Sequence, residues 1–231
     1  MESSILFSFR LSLQVAIFAT FFVIITGTSA AYVLAKKEFR GKQLVDIFFT
    51  LPLVLPPSVT GYYLILLFGR NGIVGSIAYE LTGWSIMFTW YAAVLASFVV
   101  SFPLMVRTTR AAIESVDLHL IQASYSLGRS ELETLWRVVL PLARPGIMAG
   151  AVLAFARAMG EFGATLMIAG NIPGKTDTMP LAIYASAAAG DWTRTHAMVA
   201  IFTVASGGML LIANSLSARF RKCGRSGLAP F

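Results

Sequence analysis

Long apolar stretches alternate with short polar connectors along the chain. A helix needs about 20 predominantly apolar residues to cross a bilayer, and the pattern predicts five such helices. The first two are expected at Leu11 to Leu34 and Asp46 to Phe68. The third begins near Trp84 and Trp90 and ends at about Val106, and the last two are expected at Pro145 to Ala169 and His196 to Leu216. The pattern therefore predicts an all-α integral membrane protein with a single transmembrane domain over residues 1–231.

The first apolar stretch is interpreted as an uncleaved span. Small residues at positions 28–31 are similar to a signal-peptide cleavage site. A cleavable signal carries its positive charge before the apolar run, whereas Lys36 and Lys37 come after it.

The second apolar stretch contains Pro52, Pro56 and Pro57, which are expected to break or kink its helix. Broken backbone is tolerated in a bilayer only where protein or a watery cavity covers it. We therefore expect this segment to face other helices or a pathway. The residues that follow, 69–83, are predicted to form a loop because Asn71, Gly72 and Gly75 are turn residues.

The connector from Asp117 to Pro145 is polar but helical in pattern. Gly128 is expected to end a first helix, and Ser130 and Glu133 are spaced as a capping box that begins a second. In the second helix one apolar stripe is expected on a short element outside the bilayer, formed by Leu132, Leu135, Trp136 and Val139. The stripe either packs under the protein's own spans or docks on a partner, and the pattern leaves both open.

Composition supports the membrane assignment and limits the chemistry of the chain. Hydrophobic residues make up 57% and charged residues 13%, against about 45–50% and about 25% in soluble domains. The sequence contains no Gly-x-x-x-x-Gly-Lys-Ser/Thr phosphate loop, so any use of ATP is assigned to another chain. Cys223 is a single cysteine, and His119 and His196 lack ligand spacing, so neither an intrachain disulfide nor a metal site is expected.

The distribution of basic residues predicts the orientation. If the five expected spans are correct, thirteen Lys and Arg residues lie on one side and four on the other, namely Arg10, Arg70, Lys175 and Arg194. The richer side is expected to be cytoplasmic, which places the N-terminus outside and the C-terminus inside. Topology thus accounts for the net charge of +7, and no nucleic-acid partner is expected.

Two charged residues are expected inside the fourth span. Arg157 and Glu161 are four residues apart, so they can form an ion pair, and charges within a membrane usually face the bundle interior or water. The pair either fixes the rotation of its helix or lines a pathway. Gly163 beside it permits close helix approach.

Outside, residues 170–190 combine turn residues with a short apolar patch at 181–189. This segment is either a re-entrant or interfacial helix or part of an outer vestibule where a solute-binding partner docks.

The polar connector carries a known signature. Gln122-Ala123-Ser124, then Gly128, then Val138 and Leu140-Pro141 resemble the "EAA" loop of ABC importer permeases, whose pattern is Glu-Ala-Ala, three residues, Gly, nine residues, Ile-x-Leu-Pro. Here Gln122, Ser124 and Val138 depart from the pattern, while the spacing and the Gly and Leu-Pro positions are kept. The resemblance implies a type I importer permease in which residues 107–144, here called the coupling loop, contact an ATPase.

Further segments narrow the resemblance to molybdate permeases. These are the run from Leu51 to Leu64, Gly69 to Gly75, Gly160 to Thr165 and Gly170 to Thr176, and the likeness extends from about Leu11 to Arg219. It implies a homodimer in the plasma (inner) membrane, two cytoplasmic ATPase subunits that bind ATP and Mg²⁺, and an external molybdate-binding protein. No cofactor is expected in this chain. Related permeases carry tungstate or sulfate, so these remain alternative substrates.

Two other classes compete with an importer permease that works by alternating access. A secondary transporter usually shows internal repeats and several ionisable residues within its spans, and this chain shows one charge pair. A membrane anchor needs neither a proline-broken span nor a paired-helix loop. Co-purification of an ATPase favours the first class, and transport by the chain alone favours the second.

Overall fold

The computed structural model describes residues 2–225 and, within that range, contains helices and no strand. Its helices, in chain order, are α1 (Glu2–Lys36), α2 (Lys42–Val54), α3 (Pro57–Phe68), α4 (Ile73–Thr82), α5 (Trp90–Glu114), α6 (Leu118–Ser126), α7 (Glu131–Thr134), a π-helical turn (Leu135–Val139), α8 (Leu140–Met159), α9 (Gly163–Ala169), α10 (Met179–Ala188) and α11 (Trp192–Arg225). The basic tail predicted from Arg219 onwards, with Cys223, has side chains that lie outside the described part.

Four helical segments in the described range are long and apolar enough to cross a membrane: 4–36, 90–114, 131–159 and 192–213. The pair α2 and α3 passes the same test together, but its axis bends by 120° at the break. If the pair crosses once, it corresponds to the second predicted span, Asp46 to Phe68, and brings the number of spans in the described range to five.

The ends of the bent pair lie at opposite ends of α5. Near the start of α2, Asp46 lies 3.2 Å from Arg110, close to the C-terminal end of α5. Phe68, the last residue of α3, packs on the buried cluster that includes Ala92 in the first turn of α5. A pair of helices bent in this way is either a broken span or a re-entrant loop. The break falls at Leu55 and Pro56, where the prolines predicted it, whereas Pro52 lies inside α2.

The bundle is organised around α5, with α1 and α8 packed along it. The contact surfaces are rich in alanine, and Ala16, Ala19, Ala92 and Ala96 are completely buried. Small residues let helix backbones approach closely, which is how helices associate where lipid removes the hydrophobic driving force.

Several helices extend beyond the predicted apolar stretches. At its N-terminal end, α1 buries Ser8 and Ser12, whose hydroxyls bond the Asp177 carboxylate at 3.1 Å and the Met179 backbone N–H at 2.7 Å. At the other end of the bundle, α5 continues two turns past Val106, because Ile113 is completely buried there. Hydropathy underestimates the lengths of both helices because their added turns contain polar side chains.

The prediction of a loop at 69–83 was wrong in part, since α4 occupies most of it. Gly72 and Gly83 flank this helix, and Gly83 has a φ of 68°. The glycines that indicated a loop are thus helix boundaries. The apolar patch at 181–189 is likewise helical and corresponds to α10.

The fourth predicted span, Pro145 to Ala169, is not a single helix. Helix α8 ends at Met159, and α9 begins at Gly163 after a break at residues 160–162. The Glu161 carboxylate accepts the Ala164 backbone N–H at 2.8 Å, which satisfies a free donor at the start of α9. This capping contact favours a new helix over continuation of α8.

Candidate functional site

The first helix of the coupling loop is built as its sequence indicates. The Asp117 side chain accepts the His119 backbone N–H at 2.8 Å and caps the start of α6. The helix ends at Ser126, and Gly128 takes a φ of 79°, a conformation that costs other residues about 1–2 kcal/mol. The predicted tight turn and its glycine are confirmed.

The second helix begins at the predicted capping box but does not end outside the membrane. The Ser130 hydroxyl accepts the Glu133 N–H, and the Glu133 carboxylate accepts the Ser130 N–H at 3.1 Å. The helical path then runs through α7 and the π-helical turn into α8, giving one segment from 131 to 159. The expectation of a short, separate helix was wrong, and the coupling loop is directly continuous with a membrane span.

The π-helical turn also divides the predicted apolar stripe. Val139 is completely buried and Leu135 is partly buried, whereas Leu132 and Trp136 are about two-thirds exposed. A π-helix adds residues to each turn, so the i, i+3, i+4, i+7 spacing of an α-helix does not keep the four side chains on one face. One half of the stripe therefore packs under the spans and the other half is open, and docking on a partner stays a prediction.

The open half joins other exposed apolar side chains of the coupling loop. The loop face, as defined here, consists of Leu120, Leu127, Leu132 and Trp136, which are 48%, 79%, 65% and 66% exposed. Exposed apolar side chains indicate an interaction surface when they form a patch outside the bilayer.

A buried hydrogen bond holds the two helices of the coupling loop together. The hydroxyls of Ser124 in α6 and Thr134 in α7 lie 2.9 Å apart, and both residues are buried. Sequence reasoning identified Ser124 only as a departure from the family's alanine and missed this bond. The sequence signal for this bond was the presence of Ser124 in place of alanine together with Thr134 in the second helix.

The remaining signature residues differ in exposure and lie at the two ends of the signature. Gln122 and Ala123 are exposed on α6, Leu140 is half-buried, and Pro141 is exposed in the first turn of α8. Pro141 lacks an N–H to donate to the carbonyl four residues earlier and crowds that carbonyl, and the wide π-helical turn ends directly before it. The Leu-Pro pair thus lies where the loop becomes a span.

The charge pair expected within the membrane is present. An Arg157 guanidinium nitrogen lies 2.7 Å from Glu161 Oε2, and the side-chain exposures are 29% and 1%. The Glu161 carboxylate contacts both the Arg157 guanidinium and the start of α9, and it offsets the charge of Arg157. The Arg157 side chain is partly exposed, whereas Glu161 is buried.

The two helix breaks meet next to this pair. A Cβ built on Gly163 would lie 2.8 Å from the Cβ of Pro57, so the start of α9 contacts the start of α3. Likewise, a Cβ on Gly61 would lie 2.7 Å from the Cβ of Met167. Only glycine permits this approach, and it brings the proline break and the Glu161 break together within the bundle.

A cavity of about 690 Å³ between α2 and α3 is a poor route for an anion. Its lining residues include Phe49, Leu64 and Phe102, and none is charged. A charge placed there would have no partner, and an unpaired charge in an apolar environment costs several kcal/mol or more.

Comparison with known proteins agrees with this architecture. Residues 23–222 match the family described as "Binding-protein-dependent transport system inner membrane component". The chain is 42% identical over 214 residues to the "Molybdenum transport system permease protein ModB" of Haemophilus influenzae, covering 92% of this chain and 93% of that protein. It is 48% identical over 174 residues to the Escherichia coli K12 protein of the same name, covering 75% and 76%.

A solved structure supports the fold alone. The MetNI methionine ABC transporter in an inward-facing conformation superposes with a TM-score of 0.75 at 16% identity, covering 95% of this chain and 97% of that one.

Proposed function

This chain belongs to the family of binding-protein-dependent transport system inner membrane components, and we propose that it is the permease subunit of an ATP-driven molybdate importer. It is a multi-pass membrane protein that acts in transport and not as an enzyme. The similarity that carries the choice of substrate is the 42% identity over nearly the full length of a molybdenum permease.

The coupling loop is proposed to dock on a cytoplasmic ATPase through the loop face. Three features support this role: the exposed apolar side chains, the buried Ser124–Thr134 hydrogen bond between the two loop helices, and the unbroken helical path from the loop into α8. A force on the loop face would act directly on a span because no flexible linker intervenes. Closure of two ATPase subunits on ATP would then reorient the spans of a permease homodimer.

The anion is proposed to pass the exposed side of Arg157, where the helix breaks meet. An arginine presents several N–H donors to an oxyanion, and the Glu161 carboxylate keeps the empty site close to neutral. Tight binding here would slow release, so an external binding protein is proposed to select the anion. The N-terminus is proposed to lie outside and the coupling loop inside.

Co-purification with a matched control tests the docking of the loop. Trp136→Ala removes the largest side chain of the loop face, whereas Trp192→Ala removes an equally large, 59% exposed side chain at the start of α11. Both variants are expected to fold, and only Trp136→Ala should lose bound ATPase in detergent. Equal retention of the ATPase by both variants would contradict the proposed docking surface.

The substrate is tested in vesicles that contain the permease, its ATPase and its binding protein. Uptake of labelled molybdate should depend on ATP, and unlabelled molybdate should compete better than sulfate. If sulfate competes better, the importer is a sulfate permease. Uptake by the permease alone would instead support a secondary transporter.

A further inference from the structure

The cytoplasmic-side end of α1 is tied to the coupling loop by one hydrogen bond. The Tyr32 hydroxyl donates to Glu131 Oε1 at 3.0 Å across 99 residues of sequence. Tyr32 lies in the last part of the first helix, and Glu131 is the first residue of α7. The bond therefore links a span that is remote in sequence to α7, the helix that carries Leu132 of the loop face.

Neighbouring residues fix the direction of both side chains. Ala31 and Leu34 of α1 are buried in a cluster with Ile121 and Val139 of the coupling loop. That packing sets the rotation of α1, which presents Tyr32 to α7. On the other side, the capping box uses the Glu133 carboxylate, and Glu131 in the same turn is left to meet α1.

The bond borders a cleft that is open to water, so its contribution to stability is small. The cleft measures about 270 Å³ and is lined by side chains from α1, α6 and α7, including Tyr32, Lys36, Tyr125, Glu131 and Thr134. Both bonding groups are accessible to solvent, and an intramolecular hydrogen bond contributes little net stability because it replaces hydrogen bonds to water. Its value is therefore geometric: it holds the start of α7 at one distance from α1.

We infer that Tyr32 is a positioning residue for coupling, which through Glu131 makes the end of α1 move as one body with the coupling loop. A push on the loop face then reaches two spans, α8 through the continuous helix and α1 through this bond and the packing beneath it. The inference rests on the proposed docking of the loop on an ATPase. The opposite arrangement, in which the bond breaks in each cycle, makes the contrary prediction below.

Removal of the hydroxyl tests the positioning role. In the reconstituted importer, Tyr32→Phe should leave folded yield and bound ATPase unchanged and lower transport per ATP by roughly fivefold, the small end of typical coupling factors. Glu131→Ala should do the same, and Glu131→Gln should largely rescue because it keeps an acceptor oxygen. The matched control is Tyr125→Phe, which alters the same cleft but removes a hydroxyl that makes no hydrogen bond among the described residues. Equal transport per ATP in Tyr32→Phe and wild type would overturn the inference.

A cleavable cross-link separates a rigid link from a breaking one. In a Cys223→Ser background, Tyr32→Cys/Glu131→Cys should show the reduced coupling of Tyr32→Phe. A short thiol-cleavable cross-linker should raise transport per ATP again, and its reduction should lower it. If the cross-link instead arrests transport and reduction restores it, the two groups must separate in each cycle and the inference is wrong.

Trp136→Ala, measured in the same experiment, keeps the two proposals apart. If Trp136→Ala retains its ATPase, the docking proposal itself fails. If Trp136→Ala loses the ATPase while Tyr32→Phe couples normally, only the positioning role of Tyr32 is rejected.

Discussion

Ser124 and Thr134 share a buried hydrogen bond that joins α6 to α7, with their hydroxyl oxygens 2.9 Å apart. It lies at a position where the family's pattern has alanine, so this chain stabilises its coupling loop with a bond that a strict match to the pattern would lack. The bond joins α6, which carries Leu120 of the loop face, to α7, which carries Leu132.

Ser124→Ala should reduce stability because it leaves the Thr134 hydroxyl buried without a partner. The expected cost is about 1–3 kcal/mol, measured by thermal unfolding of the purified permease. Ser124→Ala/Thr134→Val removes both hydroxyls and should recover most of that loss. If the double variant is less stable than the single one, the hydrogen bond is not the main contribution of Ser124 to the stability of the protein.

Gly128→Val should reduce the ATPase retained per folded permease. A β-branched side chain at a φ of 79° costs about 1 kcal/mol or more, and relief of that strain would displace α7. A Cβ at this position meets no atom within 4 Å, so the effect would come from backbone conformation and not from a clash.

Gly83→Val is the matched control for that change. Gly83 also has a positive φ, of 68°, and a Cβ added there would likewise meet no atom within 4 Å, but it ends α4 at the other end of the bundle. It should cost similar stability and leave bound ATPase and transport per ATP unchanged. Equal losses of bound ATPase in both variants would contradict a specific role of the Gly128 turn in ATPase binding.

Arg157→Leu should lower folded yield more than Arg157→Leu/Glu161→Gln. The single change leaves a carboxylate that is 1% exposed without its cation, and breaking a buried pair typically costs about 3–5 kcal/mol. Glutamine at 161 removes the charge but can still accept the Ala164 N–H. The folded yield is measured by size-exclusion chromatography of the detergent-solubilised protein. Equal yields for the two variants would show that pairing is not the reason why the bundle tolerates both charges.

Cysteine labelling tests the orientation predicted from the basic residues. In a Cys223→Ser background, Lys175→Cys should react with an impermeant maleimide in intact cells, and Leu127→Cys only after the membrane is opened. Both positions are exposed in the structure, so access across the membrane is the variable measured. The reverse pattern would place the coupling loop outside and exclude ATPase docking there.

The sequence by itself determined the elements that local chemistry controls. Apolar stretches indicated the spans, Pro56 and Pro57 located the break between α2 and α3, and the capping box and Gly128 defined the turn between α6 and α7. Each depends on residues that are close in sequence, so a pattern is sufficient to reveal it.

Tertiary structure decided where helices continue and which faces are covered. The π-helical turn at 135–139 decides that α7 runs into α8. The end of α8 at Met159 depends on the hydrogen bond from the Ala164 N–H to Glu161 and on the contact of Gly163 with Pro57. The division of the apolar stripe, with Val139 buried and Trp136 exposed, needs the positions of α1 and α5. The Tyr32–Glu131 bond joins residues 99 positions apart, and no local pattern contains such a distance, because packing of the whole bundle sets it.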